Sequence, residues 1–330
     1  MERIPVGLEF SRKHLTPTKY PTGRLQYETF RSFDSTQAHI TMQKFILLAF
    51  AAILSPFFVA SATHGEDAAA SSETKPLQVL LVAGGCCHDY TSQTKILKEG
   101  LEERINAKVT VVLSDNTTTR ARFDIYESDD WADGYDVVIH DECSADVIEK
   151  PYVNRILKQH LDGVPAVNLH CAMHSYRWDD FRQPVKDGAD NAGWYEMLGL
   201  QSTGHGPKFP IDIKHLDKHP ITAGMEDWTT INEELYNNIR VFDGASALIQ
   251  GVQETPPNKK QLKQDPNAKA KEATAVVAWT NEYGPNKTRI FSTSLGHQNE
   301  TVADTRYMDL VSRGVLWAAG QLDETTASAE

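Results

Sequence analysis

Two imidazoles and a thiol fall within five residues in His170-Cys171-Ala172-Met173-His174. These side-chain types can ligate a metal, supply a nucleophile or relay a proton. The group follows directly on the apolar run Val164-Pro165-Ala166-Val167-Asn168-Leu169. A buried strand that breaks into reactive side chains is how α/β proteins present chemistry at the carboxyl end of a sheet. Other candidates have similar settings: His88 after Gly84-Gly85, His205 between Gly204 and Gly206, and His297 after Gly296.

Three chemistries remain open on these residues. In the first, His170, His297 and Glu234 hold a divalent metal ion such as zinc, with His88, His174, His205 and Asp141 as further candidates. A three-ligand site with an open position polarises a bound hydroxyl or activates water. The competing reading is a metal-free pocket in which the same groups only hydrogen-bond. In the second, Cys171 is a nucleophile activated by His297, with Glu234 or Glu300 orienting the base. Against it, a buried free cysteine is commonly inert. In the third, acid/base pairs such as His170 with Glu234, or His297 with Asp141, move protons next to a carbonyl. Trp194, Tyr195, Tyr236 and Trp279 are either stacking platforms for substrate or core residues.

The elements that must position these groups are legible from the apolar pattern. Residues 77–83 (LQVLLVA) form a nearly continuous apolar run, as in a strand buried on both faces. A helix is expected over 91–105, capped by Thr91 or Ser92. Strands are expected at 109–113, 135–140 and 164–169, with a helix over 146–161 ending near Gly163. This alternation predicts a doubly wound, mostly parallel α/β sheet with helices on both faces. Ligands of such folds bind beyond the carboxyl ends of the strands, so His88, Asp141/Glu142 and His170/Cys171 should share one rim. Further on, 209–215 reads as a strand. Residues 251–272 read as an exposed Pro- and Lys-rich excursion, 275–280 and 289–294 as a hairpin, and 302–319 as a closing amphipathic helix.

The remaining sequence bounds location and partners. Residues 44–62 (KFILLAFAAILSPFFVASA) have the basic start, apolar core and A-x-A end of a secretory signal, with Met42 just ahead. Residues 1–41 are read as an over-extended start or disordered leader, 42–62 as a signal peptide or an uncleaved signal-anchor, and 63–76 as a linker. One domain is expected over 77–320, with a disordered tail at 321–330. The protein is then exported, or membrane-anchored if 45–62 stays in place. The chain has 33 Lys/Arg against 45 Asp/Glu, a net charge of −12. No basic patch suits a phosphate backbone, which argues against nucleic acid as a partner. Neither Gly84-Gly85 nor Gly204-His205-Gly206 makes a nucleotide-binding loop. Of the four cysteines, adjacent Cys86 and Cys87 are not expected to pair with each other, since the geometry is strained.

Several segments together carry a family resemblance. They are Leu169-His170-Cys171-Ala172, His219-Pro220-Ile221-Thr222-Ala223-Gly224 and Glu233-Glu234-Leu235-Tyr236. Then follow Ala278-Trp279-Thr280-Asn281-Glu282-Tyr283-Gly284, Ser294-Leu295-Gly296-His297 and Trp317-Ala318-Ala319-Gly320. In this order and over nearly all of 77–320, the chain resembles the ThuA-like (trehalose-utilization) family, whose fold is that of class I glutamine amidotransferases. The resemblance implies a small-molecule carbohydrate as partner and a role in breaking down trehalose-like or oxidised sugars. Catalytic roles then fall to His170, His297, Glu234 and Cys171, and substrate binding to His88, His174, His205, Asp141, Tyr236 and Trp279. A non-catalytic extracytoplasmic sugar-binding module is the alternative. Cys171 stands where many relatives carry Ser, and its neighbours His170 and Ala172 are not the glycines that frame an amidotransferase nucleophile, so glutaminase activity is not expected.

Overall fold

The computed structural model describes residues 75–216 and 218–322. The expected leader, the signal segment, nearly all of the linker and the tail from residue 323 lie outside the described residues. Among the described residues no helix is long and apolar enough to cross a membrane.

In chain order the strands are β1 (Leu77–Gly85), β2 (Ala107–Leu113), β3 (Val137–Cys143), β4 (Ala166–Leu169), β5 (Leu200–His205), β6 (Asp212–His215), β7 (Trp228–Thr229), β8 (Tyr236–Val241), β9 (Ala245–Thr255), β10 (Lys271–Tyr283) and β11 (Thr288–Thr293). The helices are α1 (Tyr90–Arg104), α2 (Lys150–Leu161), α3 (Gly193–Leu198), α4 (Lys259–Gln264), α5 (Asn299–Val302) and α6 (Thr305–Ala318). Nine strands form one sheet in the order β2-β1-β3-β4-β11-β10-β9-β6-β7, and β5 pairs with β8 separately. From β2 to β11 the neighbours run parallel, and from β11 to β7 antiparallel.

The apolar run of β1 is buried on both faces because side chains alternate across a strand. Val79 and Leu81 pack with Leu97 and Leu101 of α1 and with Tyr307 and Val311 of α6. Leu80 and Val82 pack with Tyr152 and Ile156 of α2 and with Trp194 and Met197 of α3. The expected α/β sheet with helices on both faces is the observed one. The hairpin made by β10 and β11 extends it antiparallel.

Several local expectations are corrected. Helix α1 is capped by Asp89, whose carboxylate accepts from Ser92 N–H at 3.2 Å, rather than by Thr91 or Ser92. Helix α2 starts at Lys150, not 146, with Pro151 in its first turn where a missing N–H costs nothing. The excursion at 251–272 is shorter than expected, because Lys271 pairs with Thr255 and the β9–β10 ribbon continues outward. Its outer part forms α4, closed by a capping box between Asn258 and Gln261.

Strand β3 also runs past His140 through Cys143 and carries a polar group into the core. Glu142 is fully buried, so it does not reach the rim expected for it. Its Oε1 lies 2.9 Å from His140 Nδ1 and accepts from Tyr176 Oη at 3.1 Å. His140 Nε2 is 2.9 Å from His160 Nε2, and His160 Nδ1–H donates to the Val164 carbonyl at 2.7 Å. His160 Nε2 must therefore accept, and His160 is neutral. Burial, reinforced by His140, pushes its pKa down to about 3.

That shift predicts an acid sensitivity. An unfolded histidine titrates near 6.5, so between pH 6.5 and 3 the unfolded chain binds one more proton at this site than the folded protein. Stability from His160 is then present above pH 6.5 and falls by up to about 1.4 kcal/mol per unit as pH drops towards 3. Urea midpoints measured from pH 7 to 4 should show a shallower acid slope in His160→Gln than in the wild type. Equal slopes would refute the assignment.

Candidate functional site

The chain after β4 turns sharply into a 3₁₀ turn over His170–His174. His170 occupies the corner with φ +35°, a left-handed backbone that a non-glycine residue adopts only when its surroundings hold it there. The residue the fold presents at this corner is thus His170 and not Cys171. Its Nδ1–H donates to the Ser294 carbonyl, at 2.7 Å, just beyond β11. That leaves Nε2 as the nitrogen turned toward the cluster. The residue is only 2% exposed, and Nε2 has no hydrogen-bond partner.

Glu234 gathers the group. Its carboxylate oxygens lie 3.5 Å from His170 Nε2, 3.3 Å from His297 Nδ1, 3.4 Å from His205 Nε2 and 3.6 Å from Lys208 Nζ. His297 Nδ1, like His170 Nε2, is buried without a well-formed hydrogen bond. One ligand atom from each of His170, Glu234 and His297 lies within 4.8 Å of the other two. His88 closes the cluster, with its ring 4.7 Å from those of His170 and His297.

The electrostatics follow from this crowding. Burial would raise the Glu234 carboxyl, but His170 and His297 outweigh it and hold Glu234 well below the carboxylate range. Burial opposes charge on His170, yet Glu234, Glu233 and the Ser294 carbonyl leave its pKa raised. His88 is pushed down to about 3 by burial and by the positive potential of His170 and His297, so it is a neutral base.

Neighbouring carboxylates and loops hold the geometry. Glu233 is fully buried and accepts from the backbone N–H of His297 at 3.2 Å and of Gln298 at 3.3 Å. Phe209 and Glu233 form an isolated antiparallel bridge, which carries Lys208 alongside Glu234. Gly296 takes φ +113°, and a Cβ there would come within 2.7 Å of Tyr307 Oη. A side chain at 296 would therefore push the His297 loop off α6.

Of the expected site residues, His88, His170, His205, Glu234 and His297 converge. Tyr236 joins them from β8, stacked on His174 at 4.3 Å and 5.1 Å from the His170 ring. His174 Nε2 faces Ser202 Oγ at 3.0 Å, because a 3₁₀ turn does not align residues four apart. Cys171 lies 3.0 Å from His88 Nε2, so the base against its thiol is His88 rather than the expected His297. Cys143 beside it, and burial, raise the Cys171 pKa, so the thiol keeps its proton. Asp141 is buried at the end of β3, and burial pushes its carboxyl well up against the pull of His170. Trp279 does not reach the group: it is 1% exposed and donates to the Leu198 carbonyl at 2.7 Å within the core. Trp194 and Tyr195 are buried likewise.

Two residues escaped the sequence reading. Lys208, 44% exposed, donates to His297 Nε2 as well as facing Glu234. Its only signal is the adjacent Gly204-His205-Gly206. Glu233 reads as a twin of Glu234, and sequence alone does not say which of the two anchors backbone. The vicinal pair is corrected too: Cys86 and Cys87 are joined by a disulfide. The turn that allows it places Cys87 at φ +87°.

A family described as ThuA, trehalose utilisation, matches residues 78–318. A ThuA-like protein from Parabacteroides merdae superposes with a TM-score of 0.54 at 20% identity, covering 75% of this chain and 92% of the other. A GMP synthase component from Thermoplasma acidophilum gives a TM-score of 0.42 at 13% identity, over 74% and 94% of the two chains. A glutamine amidotransferase from Thermotoga maritima gives 0.37 at 9% identity, over 77% and 99%. No curated protein matches the chain.

Proposed function

We propose, from the premise that this chain belongs to the ThuA (trehalose utilisation) family, that it processes a carbohydrate derivative at the His170–Glu234–His297 cluster with a divalent cation held there. The observation that carries the reading is the convergence of two buried ring nitrogens, His170 Nε2 and His297 Nδ1, on one carboxylate at 3.5 and 3.3 Å, with one ligand atom of each residue within 4.8 Å of the others. Two imidazoles and a carboxylate are a donor set for zinc and similar ions, and the His170 Nδ1–H bond to a backbone carbonyl is the support such ligands use. A bound cation would polarise a sugar oxygen or lower the pKa of a water.

The remaining roles belong to the chain's own groups. His88 is neutral and borders the cluster; its Nδ1–H donates to the His297 carbonyl and its Nε2 accepts from the Cys171 thiol, so it positions the His297 loop. Tyr236 and His174 are buried and stacked on each other behind His170, where they support its ring. The proposal keeps the location expected from residues 42–62, outside the cytoplasm.

A metal-free acid/base site is the second reading, and Lys208 is the observation in its favour. An ammonium donating to His297 Nε2 puts the ring proton on Nδ1, facing Glu234. A cation needs that same nitrogen bare. Lys208 and the cation therefore compete, and Lys208→Ala should tighten zinc binding by about tenfold, the worth of one hydrogen bond involving a charged group. Calorimetric titration of both proteins measures this, and weaker binding in the variant would contradict the competition.

The proposal as a whole is tested by elemental analysis of the chain from residue 63 onward, prepared without a histidine tag. Assays on trehalose and keto-sugar panels, with and without chelator, accompany it. Stoichiometric cation with chelator-sensitive turnover is the expected result. Turnover without cation moves the chemistry to the acid/base pair. Sugar held unchanged would instead make the chain a binding module.

A further inference from the structure

All four cysteines meet at the carboxyl ends of β1, β3 and β4. Cys86, Cys143 and Cys171 pack in one cluster with Ala83 and Tyr90. Cys86 Sγ, already bonded to Cys87, lies 3.4 Å from the free Cys143 Sγ. The approach is built into the backbone. Gly85 sits opposite Cys143 in the β1–β3 register with φ +101°. A Cβ at Gly85 would come within 2.3 Å of the Cys143 carbonyl oxygen, so any larger residue would part the two strand ends. The three sulfurs differ in access: Cys143 is buried, Cys86 half-buried and Cys87 exposed. Cys87 lines a cleft of about 490 Å³ that it shares with His88, His297 and Glu300.

We propose that these residues form a thiol–disulfide exchange site whose surface outlet is Cys87, a position modified by small-molecule disulfides. In the first step the Cys143 thiol gives up its proton and its sulfur attacks Cys86 Sγ. The Cys86–Cys143 bond forms as the Cys86–Cys87 bond breaks, and Cys87 leaves as a thiolate. The protein neither gains nor loses electrons, and the proton lost at Cys143 is balanced by one that the Cys87 thiolate can take up. In the second step the Cys87 thiolate attacks a disulfide R–S–S–R that enters the cleft. A mixed disulfide Cys87–S–S–R forms and R–S⁻ departs. The modified sulfur then stands beside His88 and His297, so the substituent R occupies the mouth of the cleft. Cys171 supplies no sulfur to the exchange, although it packs beside Cys143 with its thiol toward His88.

The probe is dithiodipyridine, whose released thiopyridone is read by absorbance. The full chain is first treated with diamide, which takes up the two electrons and two protons of the dithiol to close its disulfide, then desalted and reacted while folded. The expected result is about one equivalent of thiopyridone. Peptide mapping without reduction should place the pyridyl group on Cys87 and a new disulfide between Cys86 and Cys143. Cys143→Ser and Cys143→Ala should slow release at Cys87 at least about tenfold, whereas Cys171→Ser should still give label on Cys87 and the Cys86–Cys143 linkage. Should the Cys143 variants fail to fold, the linkage mapped in the wild type decides alone. Label on Cys143 or Cys171 with Cys86–Cys87 intact, or no label at all, would overturn the proposal.

Discussion

His170→Ala is expected to lose the divalent cation on purification and to weaken zinc binding by well over about 100-fold. That exceeds the roughly 10- to 100-fold effect of removing a mere supporting hydrogen bond at a metal site. The size follows from the geometry. Alanine removes a buried nitrogen of the three-residue donor set, leaving His297 and Glu234 to hold the ion alone. His174→Ala is the matched control, because His174 bonds Ser202 and stacks on Tyr236 without joining the three ligands. It should retain the ion. The same geometry sets a pH dependence. The His170 pKa is raised, so a proton competes with the ion for Nε2 more strongly than at an ordinary imidazole. Zinc affinity in the wild type should therefore fall as pH drops through that raised value. Equal affinities for wild type and His170→Ala would remove His170 from the ligand set.

The second large effect is on stability. Trp279→Ala should cost about 3–5 kcal/mol in urea unfolding, the range for truncating a buried large aromatic. Trp279 sits mid-strand in β10, paired with Ser292 of β11 and Ala247 of β9, inside the layer that holds Trp194 and Met197. Its loss empties that layer and leaves the Leu198 carbonyl without its donor. Cation content per folded molecule should be unchanged. A variant that is as stable as the wild type but has lost sugar binding would return Trp279 to the pocket.

The two results bear on different levels of the molecule. The histidine cluster is stabilised by groups from β4, from the loop before β8 and from the loop after β11, far apart in the chain. The Trp279 layer is a packing unit, and its cost is measured without any ligand. A protein that fails one test and passes the other therefore separates an error about the site from an error about the fold.

What sequence by itself determined is what repeats locally. The apolar runs of β1, β3 and β4 predict buried strands because a strand covered on both faces must be apolar throughout. The break from Leu169 into His170 marks a strand end, and the ordered family segments carry the fold over most of the chain. His170, Glu234 and His297 were legible as candidates because strand ends and glycine-rich loops converge in such folds.

What only the tertiary structure decided is which side chains touch. His170 and His174 are near neighbours in sequence, yet the 3₁₀ turn sends one to Glu234 and the other to Ser202. Glu233 and Glu234 are adjacent, but alternation sends the first to backbone N–H groups and the second to imidazoles. Cys86 meets Cys143 because Gly85 lets β1 close on β3. Glu142 lies one residue from Asp141, in a stretch that reads as a rim, yet it is buried against His140. Most of these pairings depend on through-space distances of a few ångströms between residues tens of positions or more apart. Local spacing carries no information about them, because contact energy is set by the packed chain and not by the order of its residues.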